Sequence, residues 1–102
     1  MPAYQAPLRD FDFVLNELIK VQDTLPSLPG YEEATQDIFS SYLEAAAQFC
    51  ENELAPLNRP ADEEGCTFDA ATKSVTTPVG FKEAYKTYVD GGWAALSCDP
   101  EF

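Results

Sequence analysis

Proline and glycine cut this chain into short pieces, and their spacing limits what it can build. Breaks at Pro26, Pro29 and Gly30, at Pro56, and at Gly91 and Gly92 bound three stretches with apolar residues at three- and four-residue intervals. That period belongs to helices with one buried face. A proline lacks the amide proton a helix interior needs, and glycine accepts the left-handed backbone found just past a helix end. The expectation is an all-α domain of three principal helices with one irregular, hairpin-like loop.

The first helix is expected after Asp10 or Asp12, either of which can cap an opening turn. Phe11, Val14, Leu15, Leu18, Ile19, Gln22 and Leu25 then line one face, apolar except at Gln22. A second helix is expected over about 32–54, with Glu32, Glu33 and Asp37 at its positive end. Its stripe is Ile38, Phe39, Tyr42, Leu43, Ala46, Phe49, Cys50 and Leu54, and Pro56 closes it. Residues 58–79 read as an exposed loop. Within it, Thr67-Phe68 and Ser74-Val75-Thr76 flank a turn and predict a short hairpin. The third helix is expected to start near Thr77-Pro78, to present Phe81, Ala84, Tyr85, Tyr88 and Val89, and to end at Gly91-Gly92. Residues 93–96 could add one more turn.

At 102 residues the chain is one small domain at most. Of these, 23 are Leu, Ile, Val or Phe, little above the level at which a highly charged chain stays disordered. The thirteen aromatic residues and the helical periodicity tip the balance toward folding. The formal net charge of -12 repels phosphate, which argues against nucleic acid and anionic membrane surfaces as partners. The acids are spread along the chain and read as a solvated exterior. No apolar run is long enough to span a bilayer, and Met1-Pro2-Ala3-Tyr4-Gln5 has neither the basic nor the apolar region of a signal peptide. Cys50, Cys66 and Cys98 form no CxxC pair, so reduced thiols in a cytoplasm are expected.

Catalytic patterns are missing. Without histidine there is no Ser-His or Cys-His pair, and the five glycines form no phosphate-binding loop. Asp62-Glu63-Glu64-Gly65 lacks the alternating ligands of a calcium loop. Glu51, Glu53, Glu63 and Glu64 read as surface charges. No catalytic, cofactor-binding or metal-ligating residue is therefore assigned. The candidate functional surface is aromatic: Phe81, Tyr85, Tyr88, Trp93 and Phe102. Core packing is the ordinary use of such a stripe, and docking of further protein is its alternative.

The order of several short blocks carries a family resemblance. Leu54-Ala55-Pro56-Leu57-Asn58, Glu63-Glu64-Gly65-Cys66, Thr76-Thr77-Pro78, Gly80-Phe81-Lys82-Glu83-Ala84-Tyr85, Gly92-Trp93 and Asp99-Pro100-Glu101-Phe102 follow in a succession that resembles the N-terminal helical region of acyl-CoA dehydrogenases. Tyr4-Gln5-Ala6-Pro7-Leu8-Arg9-Asp10 and Leu28-Pro29-Gly30-Tyr31 resemble the N-terminal extension of a bacterial subgroup that includes 3-methylmercaptopropionyl-CoA dehydrogenase-like proteins. The resemblance implies an extension over 1–30 and a core N-terminal region over 31–102. It places a middle β domain and a C-terminal helical domain outside this chain. It also implies FAD-dependent α,β-dehydrogenation of an acyl-CoA thioester in fatty acid metabolism, with electron-transferring flavoprotein reoxidising the flavin. The partners it implies are the remainder of the enzyme chain and, for the whole enzyme, acyl-CoA and that flavoprotein, with homo-oligomerisation left open. On that view FAD binds the full-length enzyme, not this chain alone. A free-standing helical interaction module without catalytic activity is the alternative.

Overall fold

A proline opens the first helix. The computed structural model describes residues 3–101, which are mostly helical, and Pro7 precedes α1 (Leu8–Asp12) with its carbonyl accepting from the Phe11 amide at 3.1 Å. Proline's fixed φ suits a helix start, so the helix begins earlier than Asp10 or Asp12 would place it. A π-helical turn, Phe13–Leu18, continues it, with the Ile19 amide bonded five residues back to Val14 at 2.9 Å. The expected single first helix then breaks. Lys20 lies in the left-handed region at φ 56°, and α2 (Val21–Thr24) and a 3-10 turn, Leu25–Ser27, follow. Gln22, the polar residue in the apolar stripe, donates from Nε2 to the Asn16 carbonyl at 3.3 Å across this break.

The second helix also departs from its expected bounds. Glu32 and Glu33 precede α3 (Gln36–Phe49), because the Glu32 carboxylate turns back to accept from the Gly30 amide at 3.1 Å. Only Asp37 remains in the first turn. A π-helical turn, Cys50–Leu54, follows α3, and α4 (Ala55–Glu64) follows that. Pro56 therefore does not end a helix, and residues 58–64 are not loop. Pro56 lies in the first turn of α4, directly after the π-helical turn. Pro60 falls four residues on, so the carbonyl it leaves unpaired is that of Pro56. An exposed ion pair from Arg59 to Glu63 at 2.9 Å spans the next turn, and Gly65 at φ 69° ends the helix.

The hairpin forms where expected. β1 (Thr67–Asp69) and β2 (Ser74–Thr76) pair antiparallel, Thr67 opposite Thr76 and Phe68 opposite Val75. Asp69 Oδ1 accepts from the Ala71 and Thr72 amides at 2.8 and 3.3 Å, which shapes the connecting turn. The third principal helix, α5 (Phe81–Asp90), starts later than Thr77-Pro78. Gly80 at φ 85° cannot belong to a right-handed helix, so the residues before it form a turn in which the Phe81 amide bonds the Pro78 carbonyl at 3.2 Å. A 3-10 turn, Trp93–Ala95, follows Gly92.

The chain divides into two units, Met1–Asn52 and Glu53–Phe102. In the first, α1 packs on α3, and Ala47 of α3 is buried. The Ala6 amide donates to Glu51 Oε1 at 2.8 Å and fixes the segment before α1. Glu51 is thus half-buried and engaged, not the free surface charge its sequence context predicts. In the second, Pro78 and Ala84 are buried, and Glu64 Oε2 accepts from the Val79 amide at 3.1 Å. No large side chain among the described residues is fully buried. Two compact bodies of half the chain's mass would together expose about 6,900 Å². The chain exposes 8443 Å². Counted as separate bodies, its units still carry an excess of roughly 1,500 Å² over compact domains.

Candidate functional site

The aromatic stripe of α5 divides into two lines. Gly80, Ala84 and Tyr88 recur every four residues and turn inward: Ala84 is buried, and Gly80 and Tyr88 are half-buried. Phe81, Tyr85 and Val89 also recur every four residues, about 100° further round the helix. They stay 50%, 63% and 45% exposed. The small residues at 80 and 84 let the inner line sit close, and they leave the outer line without cover among the described residues. Tyr85 and Tyr88 join the two lines through tilted rings with centroids 6.3 Å apart.

Trp93 is half-buried in the turn after α5. A Cβ on Gly91 would lie 2.9 Å from its Nε1, so glycine there lets the indole rest against the backbone. Phe102 lies outside the described residues. The structure therefore places Phe81 and Tyr85 of the predicted surface on one open face, with Tyr88 and Trp93 more deeply set. Lys82 and Lys86 follow along the helix edge, and Lys86 pairs with Asp90. Exposed i,i+4 pairs of this kind contribute under about 1 kcal/mol and do not define a charged site.

A second feature had no signal in local sequence. Leu8, Leu15, Phe39 and Leu43 floor an open groove of about 280 Å³ in the first unit, edged by Arg9, Asp12, Asn16, Ser40 and Glu44. Its walls come from segments some thirty residues apart, which no periodicity within one helix reveals. Asn16 Nδ2 donates to Asp12 Oδ1 at 2.6 Å. Glu32, on the surface, has a carboxyl pKa displaced from its ordinary value. Its own backbone amide and that of Gly30 hold it below the ordinary glutamate range. Among the described residues no cluster of Cys, Asp and Glu is placed to hold a metal ion, and all three cysteines are free thiols.

Known proteins decide the family. The chain is 36% identical over 94 residues to a 3-methylmercaptopropionyl-CoA dehydrogenase of Ruegeria pomeroyi, a match that covers 92% of this chain. The chain is related to the acyl-CoA dehydrogenase family. A butyryl-CoA dehydrogenase of Syntrophomonas wolfei is 32% identical over 91 residues, or 87% of the chain. Both matches span only a small part of the relatives, 16% and 15% of their lengths. No family model matches the chain. For an acyl-CoA dehydrogenase relative the mostly helical fold fits, with its single two-stranded sheet among the described residues. No described helix is long and apolar enough to cross a membrane.

Proposed function

We propose that this chain is the N-terminal helical domain, or a fragment of it, of a cytoplasmic FAD-dependent acyl-CoA dehydrogenase, and that its role is scaffolding. The observation that carries this reading is a match over 92% of the chain to 16% of a dehydrogenase. The surface excess agrees with it. Roughly 1,500 Å² beyond two compact bodies of half the mass is, counted on both partners, the scale of an obligate interface. The Phe81, Tyr85 and Val89 line is the part of that surface best suited to packing against the remainder of the enzyme, since aromatic side chains dominate such contacts.

The activity proposed for the whole enzyme is α,β-dehydrogenation of an acyl-CoA thioester, which needs a fixed carboxylate base and a flavin to take the hydride. Acyl-CoA and electron-transferring flavoprotein are accordingly proposed partners of the whole enzyme. The groove of the first unit does not itself suit a flavin dinucleotide. The groove of about 280 Å³ is smaller than an ordinary small-molecule pocket, and its one cation, Arg9, stands beside Asp12 and Glu44. A diphosphate would ask for clustered amides or cations instead.

Two measurements test the proposal. The purified 102-residue chain is expected to be colourless and to lack acyl-CoA:dye reductase activity. The genomic reading frame is expected to run past Phe102 into further dehydrogenase sequence. A yellow, active 102-residue protein would refute the scaffolding role. A stop codon directly after Phe102 would favour a free-standing interaction module.

A further inference from the structure

We draw no further inference here: the strongest candidate, the open groove floored by Leu8, Leu15, Phe39 and Leu43 between the N-terminal helical segment and α3, is an unpartnered apolar face, and nothing in the structure shows what covers it.

Discussion

Gly80 combines two constraints that can be separated by substitution. Its φ is +85°, and a Cβ built on it would stand 2.8 Å from Leu57 Cδ2. Gly65 has a similar φ of +69° and open space around the missing Cβ, but its ψ of -178° puts it in an extended, positive-φ region that essentially only glycine populates. Holding an L-residue in the left-handed region costs roughly 1–2 kcal/mol. That cost applies to Gly80; in the extended region of Gly65 it is at least as large, and Gly65→Ala is expected to destabilise by about 1–3 kcal/mol in urea unfolding. Gly80→Ala should cost its left-handed backbone term plus the displacement of Leu57. The Leu57→Ala background should remove that extra cost and leave the backbone term. Equal losses for Gly80→Ala in the native and the Leu57→Ala backgrounds would show that the Leu57 contact carries no weight.

Glu32 makes a prediction in pH. Its carboxylate accepts from the Gly30 amide at 3.1 Å, and its folded pKa lies below the unfolded value. A depressed carboxyl contributes stability that is present above the unfolded pKa, near 4.3, and is lost as pH falls through the folded value. Full exposure keeps that contribution small. The Gly30 amide resonance should titrate with a midpoint below that of an ordinary glutamate, and Glu32→Gln should abolish the titration. A midpoint at or above the ordinary value would contradict the hydrogen bond.

Elements depend on which local rule wins, and the hairpin shows the simpler outcome. Phe68 and Val75 face each other across β1 and β2 while 64% and 62% exposed, so burial contributes little. A cross-strand pair of this kind is worth about 0.2–1 kcal/mol. The turn matters as much. Asp69→Ala removes the acceptor for two amides and is expected to cost about 1 kcal/mol, whereas Asp69→Asn, which keeps an acceptor, should cost less. Amide exchange at Ala71 and Thr72 reads this directly: the alanine variant should lose protection there, and unchanged exchange would count against the turn.

The same hairpin was legible in sequence because β-branched and aromatic residues flank a clear turn. The three helical regions were legible from period. What sequence hid was the rule in force at each break. Pro56 reads as a terminator, but helical backbone both precedes and follows it. Lys20 gives no local hint of a left-handed backbone, which the preceding π-helical turn and the Gln22 bond to Asn16 accompany. The candidate surface divides similarly. Periodicity puts Phe81, Ala84, Tyr85, Tyr88 and Val89 on one face. Only packing inside the second unit tells the inner line of Ala84 and Tyr88 from the outer line of Phe81 and Tyr85.

At the scale of the whole molecule, that division turns two readings of the aromatic stripe into opposite measurements. If Phe81 and Tyr85 belonged to the core of this chain, replacing them would unfold it, since truncating a buried aromatic costs about 3–5 kcal/mol. If they belong to a surface that further protein covers, the isolated chain should tolerate the change. Surface substitutions usually shift stability by about 0.5 kcal/mol or less, and half-exposed rings should cost only slightly more. The double variant Phe81→Ser with Tyr85→Ser is expected to keep the far-ultraviolet circular dichroism and nearly the urea midpoint of the unmodified chain. It should also bind less of a hydrophobic dye and self-associate less, because exposed apolar patches drive both. Placed in the proposed complete dehydrogenase, the same pair of changes should lower the thermal midpoint by several degrees. Unfolding of the isolated variant would assign the outer line to this chain's own core. An unperturbed complete enzyme would show that the rest of the protein packs elsewhere.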